Sequence, residues 1–124
     1  YVSIHQFPFY PGTGSQIEKG FYNNILNIPI PAGLNSVKYR KIFDEEVLPF
    51  IEASSCDLLI ISAGFDAHKW DPIAHINLET EDFSYMTKIL MQIKSQLLIG
   101  LEGGYDIKAL ADCCTSIAKE LIKH

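Results

Sequence analysis

The sequence has little of what marks a membrane protein or a nucleic-acid binder. No apolar run approaches the roughly 18 residues that a membrane-spanning helix needs, so we expect no integral membrane protein. Ten basic residues against fifteen acidic ones give a net charge of −5, whereas a nucleic-acid binder normally displays a basic stripe. Solubility is the commoner reason for such an acidic balance, which also suits a cationic partner such as a lysine-rich tail or a polyamine.

Cysteine is also scarce. Cys56, Cys113 and Cys114 form neither a CxxC pair nor a disulfide framework. Cys113 and Cys114 are neighbours in a predicted helix, and Cys56 is predicted to begin a strand. Three unpaired cysteines fit a reducing, cytoplasmic compartment. The sequence further lacks the GxGxxG, phosphate-loop and GxSxG patterns, which argues against a nucleotide site and a serine-hydrolase elbow.

The length of 124 residues suits one compact domain. The chain opens without a methionine, on a segment at residues 2–5 that is typical of a strand. We therefore expect residues 1–124 to be the C-terminal portion of a single larger domain.

Apolar patterns predict several strands. Residues 57–62 and 96–101 are near-continuous apolar runs, the pattern of strands buried on both faces of a parallel sheet. Residues 25–30 are a further candidate, closed by Pro29 and Pro31.

Helices are predicted between the strands. One runs for about four turns from Ser36, one follows an N-cap at Thr80, and one spans residues 107–122. This alternation indicates an α/β fold with a mostly parallel sheet flanked by helices.

Chemically capable residues follow the two apolar strands. In parallel sheets, functional groups gather beyond the carboxyl ends of the strands. Asp66 lies in the first such loop, where its carboxylate would bind a metal or, alternatively, cap the neighbouring turn. His68 and His75 match no standard ligand spacing such as HExxH, which favours ordinary loop residues.

Tyr105 lies in the second strand-end loop, directly after Gly103 and Gly104. The glycines allow the backbone to approach a ligand closely or to adopt positive φ, so the hydroxyl could reach the crevice. The alternative is a glycine turn with an aromatic plug.

Four ordered segments resemble the histone deacetylase and acetylpolyamine amidohydrolase superfamily, in its class II-like or bacterial acetoin-utilisation form. The segments are VSIH (2–5) with FYPGTG (9–14), NIPIPAG (27–33), SAGFDAH (62–68) with Asp71-Pro72, and LEGGY (101–105). The resemblance covers essentially the whole chain. It implies the C-terminal part of an arginase/deacetylase-type fold, and a hydrolase that uses one Zn²⁺ to remove acyl groups from lysine side chains or related amines.

The resemblance also implies roles for single residues. By matching position Asp66 is one of three zinc ligands, and the Tyr105 hydroxyl is the catalytic donor to the oxyanion. The other two ligands and a catalytic histidine pair are expected upstream of Tyr1, so we expect the chain alone to be inactive. The matching substrate-channel positions are Tyr10, Pro72, Ile73, Gly103 and Gly104. Positions that help to hold a monovalent cation, K⁺ or Na⁺, in relatives correspond to Ser3, Ile4 and Tyr39.

Three other interpretations stay open. An acetylpolyamine amidohydrolase would tend to carry glutamate after the Asp-Pro pair, where this chain has Ile73. A non-catalytic fragment or interaction module is favoured by the missing ligands. A manganese ureohydrolase ranks lower, because its strand end would carry several aspartates and this one offers Asp66 alone.

Overall fold

The computed structural model describes residues 1–94 and 96–123. Strands and helices alternate as the sequence predicts. In chain order they are β1 (Val2–Gln6), β2 (Leu26–Ile30), α1 (Ser36–Ile42), α2 (Leu48–Glu52), β3 (Leu59–Ala63), α3 (Thr80–Ile93), β4 (Leu97–Leu101) and α4 (Ile107–Ile122). A π-helical turn, Phe43–Val47, joins α1 to α2. The predicted helix from Ser36 is therefore confirmed, and it continues to Glu52.

The described strands pair in parallel, which confirms the predicted fold class. β1 pairs with β2 and β3 pairs with β4, so the described residues form two two-stranded sheets. Pro29 does not close β2 but lies within it, opposite His5. Within the described residues β2 pairs with β1 alone, so its other side has no partner strand. Proline is tolerated there because an N–H missing from the unpaired side costs no hydrogen bond between strands.

The prediction that β3 and β4 are buried on both faces is wrong for this chain. Leu59 and Ile61 pack against the core, whereas Ile60 is 63% exposed and its register partner Leu98 is 54% exposed. The helices cover one face, and nothing within residues 1–94 and 96–123 covers the other. Both faces of these strands are apolar, but only one of them is buried in the described residues.

The start of α3 differs from the prediction by one residue. Glu79 is the N-cap, and Thr80 is the first helical residue. The backbone N–H of Glu79 donates to Asp82 Oδ2 at 2.7 Å. Asp82 also accepts from Ser36 Oγ and Arg40 Nε, each at 2.5 Å, and is only 1% exposed. One buried carboxylate therefore fixes the start of α3 against α1.

Helices α3 and α4 pack against each other and, with β2 and α1, enclose the core. Cys113 of α4 is fully buried there. Cys56 is exposed and lies before β3 rather than beginning it, because the strand starts at Leu59. All three cysteines are free. No described helix combines the length and apolarity that crossing a membrane requires.

Candidate active site

The loops after β3 and β4 lie side by side at one edge of their sheet. Ala63 is the register partner of Leu101, so both strands end together. Backbone bonding continues beyond the strands, from Glu102 N–H to Ala63 O at 3.0 Å and from Phe65 N–H to Gly103 O at 2.8 Å. The structure therefore brings together the two loops that the sequence singled out.

The Asp66 carboxylate lies in a cradle formed by two glycines. A Cβ atom on Gly103 would come within 2.8 Å of Asp66 Oδ2, and one on Gly64 within 2.9 Å of Oδ1. Real Cβ atoms do not approach this closely, so a side chain at either position would force the Asp66 carboxylate to shift. This packing places the Asp66 side chain between the strand-end loops.

The electrostatics around Asp66 favour a cation. Burial raises the pKa of the half-buried Asp66 carboxyl above its ordinary value, and the negative charge of Asp71 raises it further. Both effects penalise the bare carboxylate, and a bound cation would offset both. Asp66 thus suits one ligand position of a metal site.

The described residues supply no complete metal site. Within residues 1–94 and 96–123, no three His, Cys, Asp or Glu side chains lie close enough together to hold a metal. Carboxylate oxygen is an ordinary zinc donor, so Asp66 fits one ligand position. That the other two ligands lie upstream stays a prediction.

Tyr105 is anchored through its backbone. Its N–H donates to Asp71 Oδ2 at 2.8 Å, while Asp71 Oδ1 accepts from the N–H groups of Ile73 at 2.9 Å and Ala74 at 3.0 Å. Asp71 therefore ties the two loops together. The Tyr105 side chain is 56% exposed, which argues against an aromatic plug and leaves its hydroxyl accessible.

His68 lies in the loop after β3, as predicted, but unlike most loop residues it is buried. Its side chain is 2% exposed, its Nδ1 accepts from the Trp70 N–H at 3.2 Å, and its Nε2 lies 3.4 Å from Thr80 Oγ1. No periodicity in this loop could have predicted a buried histidine. His75 is exposed, as expected of a loop residue.

Three of the residues matched to a substrate channel are exposed, whereas Gly103 and Gly104 are half-buried. Pro72 and Ile73 directly follow Asp71, and Ile73 is 47% exposed. Tyr10, in the loop after β1, is 92% exposed. Their roles in a channel stay predictions.

The residues matched to cation sites differ in environment. Ser3 Oγ is hydrogen-bonded to His5 Nδ1 at 2.9 Å, and Ile4 lies within β1. Tyr39 is buried, and burial, with Asp66 and Asp82 nearby, raises the pKa of its phenol. This electrostatic link between Tyr39 and Asp66 escaped the sequence analysis, since 27 residues separate them. That these positions hold K⁺ or Na⁺ stays a prediction.

Parallel strands, flanking helices and strand-end loops paired at one sheet edge define an α/β domain. The family model described as the histone deacetylase domain matches residues 1–121. The chain belongs to the histone deacetylase family, whose members are deacetylase hydrolases.

Individual comparisons agree. An uncharacterised protein of Synechocystis is 45% identical over 98% of this chain and 40% of its own length. The crystal structure of the HDA15 HD domain superposes with a TM-score of 0.94 at 34% identity, covering 100% of this chain and 37% of that one. An acetylpolyamine aminohydrolase from Burkholderia pseudomallei superposes with a TM-score of 0.87 at 28% identity, over 97% of this chain and 36% of that one. This chain thus spans about two fifths or less of each of these proteins.

Proposed function

We propose that the protein is a zinc-dependent amidohydrolase that removes acetyl or other acyl groups from lysine side chains or related amines. The observation that supports it best is the joining of the Asp66 and Tyr105 loops at one sheet edge, through the Phe65–Gly103 and Tyr105–Asp71 hydrogen bonds. An anionic ligand and a hydroxyl donor from separate strand ends can then act on one amide.

Each residue has a chemical task. Asp66 supplies one anionic ligand from its glycine cradle. When bound, zinc polarises the amide carbonyl and lowers the pKa of a bound water. The exposed Tyr105 hydroxyl donates a hydrogen bond to the oxyanion that develops on the carbonyl oxygen. Such a donor typically lowers the barrier by about 2.7–4 kcal/mol.

The proton transfers require another part of the protein. A general base and acid, most often imidazole, must reach the water and the leaving amine. His68 is buried and bonded within the core, so it is unsuited to this task. We propose that a histidine pair outside the present chain carries out these transfers.

Acyl-lysine in a protein is the favoured substrate. The acetylpolyamine alternative gains from the likeness to the Burkholderia pseudomallei enzyme, but Ile73 offers no carboxylate for a second amine. Comparing the hydrolysis of an acetyl-lysine peptide with that of an acetylated polyamine would decide between them.

The free cysteines support the further proposal of a reducing, cytoplasmic compartment.

The decisive variant is Asp66→Ala in the full-length protein that contains this chain. We expect loss of bound zinc and of acetyl-lysine hydrolysis, because a ligand is removed. Zinc content and a fluorogenic acetyl-lysine assay measure both. The matched control is Asp112→Ala, which removes an exposed carboxylate paired with Lys108 at 2.7 Å and should leave both unchanged. Retained turnover with normal zinc content in Asp66→Ala would refute the proposal.

A further inference from the structure

A polar cluster of two buried residues and one half-buried threonine lies beside the candidate site and has no part in the proposed mechanism. It consists of His68, Thr80 and Cys113. Thr80 Oγ1 lies 3.4 Å from His68 Nε2 and accepts from Cys113 Sγ at 3.9 Å. The His68 ring stacks on Phe83, with centroids 6.4 Å apart and planes at 16°, and meets Trp70 edge-on at 5.1 Å. Burial of a polar ring is costly unless its nitrogens are bonded, so each contact matters.

The hydrogen bonds determine the tautomer of His68. A backbone N–H can only donate, so the bond from Trp70 N–H requires an unprotonated Nδ1. The proton of the neutral ring then lies on Nε2, directed at Thr80 Oγ1. One ring nitrogen therefore holds the loop and the other holds the start of α3.

The backbone of His68 holds the same loop at two further points. Its N–H donates to Phe65 O at 3.1 Å, and its carbonyl accepts from the Asp71 N–H at 2.9 Å. On either side, Ala67 and Lys69 are bonded to Leu78. His68 thus lies at the centre of a short segment that begins at Asp66 and ends at Asp71.

We propose that His68, as the neutral Nε2–H tautomer, is a positioning residue that holds the 66–71 segment in the geometry required by Asp66 and by the Asp71–Tyr105 bond. The inference rests on the proposed function. Mutating a residue that orients a metal ligand typically weakens metal affinity by about 10–100-fold. His68 acts through the backbone rather than on the carboxylate itself, so we expect the lower end of that range.

Two amide variants separate positioning from packing. In His68→Asn the side-chain oxygen can occupy the place of Nδ1 and accept from the Trp70 N–H. In His68→Gln the side-chain amide reaches the place of Nε2 instead, so the Trp70 N–H loses its acceptor. We expect His68→Gln to bind zinc about tenfold more weakly than wild type and His68→Asn to stay within about threefold. The measurements, on the full-length protein, are zinc affinity by chelator competition, kcat and KM on an acetyl-lysine peptide, and urea unfolding.

Thr87→Val is the matched control, because it removes another buried hydrogen bond of α3, from Thr87 Oγ1 to Phe83 O at 2.9 Å. It should lower stability without changing zinc affinity. Equal zinc affinities for His68→Asn and His68→Gln would overturn the inference while leaving the proposed function intact. A wild-type protein without zinc-dependent hydrolysis would overturn both. If His68→Gln does not fold, the same comparison is made between His68→Asn and Thr80→Val. Thr80→Val removes the partner of Nε2, and the acceptor of the Cys113 thiol, but leaves the bond from Trp70 N–H to Nδ1 in place, so it should bind zinc as His68→Asn does. A tenfold weaker affinity for either variant would contradict the role of Nδ1.

Discussion

The loops after β3 and β4 and the loop after β1 all carry residues matched to one active site, but the chain holds them differently. In the first pair, backbone bonds, the glycine cradle and Asp71 fix both the main chain and the Asp66 carboxylate. In the loop after β1, His5 Nε2 bonds Gly14 O at 3.0 Å and Asn27 bonds Ser15 O at 3.3 Å, yet Tyr10 is 92% exposed. This chain therefore fixes the main chain and the Asp66 carboxylate at the strand ends, but only the main chain of the loop after β1.

After Asp66→Ala, the largest effect should come from Tyr105→Phe. Removing the hydroxyl takes away the oxyanion donor, which typically lowers kcat by about 100- to 1,000-fold. KM should change little, because the donor acts mainly in the transition state. Steady-state kinetics on an acetyl-lysine peptide give both values. Tyr85→Phe, which loses a hydroxyl bonded to Asp44, is the control and should keep full activity. A near-normal kcat in Tyr105→Phe would show that the Tyr105 hydroxyl does not stabilise the oxyanion.

The next effect concerns the support behind those loops. Residues 67–69 are bonded to Leu78, which leads into the helix start that Asp82 anchors. Asp82→Asn leaves Arg40 without its charge partner, so we expect unfolding to become easier by about 3 kcal/mol, measured by urea denaturation. Lys41→Ala breaks an exposed pair 3.9 Å long and should cost under about 0.5 kcal/mol. Equal costs for the two variants would contradict the anchoring role.

Gly103→Ala tests the cradle itself. The new Cβ would lie 2.8 Å from Asp66 Oδ2, so the carboxylate must shift. We expect roughly a tenfold loss of kcat/KM, since small misplacements of reacting groups are costly. Gly100→Ala on β4 has nothing within 4 Å of its Cβ in this chain and serves as the control. Unchanged activity in Gly103→Ala would show that the Asp66 position tolerates displacement.

Tyr10→Ala should have the smallest effect. An aromatic contact contributes about 0.5–1.5 kcal/mol beyond buried area, which corresponds to a rise of about twofold to thirteenfold in KM. Its kcat should stay close to wild type, because the ring touches no reacting atom. The control Tyr22→Ala removes another exposed tyrosine of the same loop, 81% exposed and outside the matched segments. A loss of kcat as large as that of Tyr105→Phe would erase the distinction between the loops.

Local patterns predicted much of the fold. Helix α4 occupies residues 107–122 as predicted, because its apolar positions keep helical spacing and Asp106 caps it through a 2.7 Å bond from Ala109 N–H. The start of α3 was placed one residue late, because Thr80 and Glu79 both precede an acidic turn. The bond from Glu79 N–H to Asp82 makes Glu79 the N-cap. Asp82 is held in place by donors from α1, among them Ser36 Oγ.

Burial was harder to predict than secondary structure. The apolar run of β3 indicated a strand covered on both faces, yet Ile60 is 63% exposed. A run of apolar residues records what a strand can bury, not which elements pack on it. His68 shows the converse, since a polar residue in a loop is 2% exposed.

By itself the sequence determined the order of strands and helices and the placement of Asp66 and Tyr105 after two apolar strands, because these depend on local spacing. Tertiary structure alone decided the glycine cradle around Asp66, the Asp71–Tyr105 bond and the burial of His68. Those contacts join residues far apart in the chain, or depend on which neighbours pack around a loop, and no local pattern encodes either. The family resemblance singled out Asp66 and Tyr105, and the parallel pairing of β3 with β4 places their loops at one edge of the sheet.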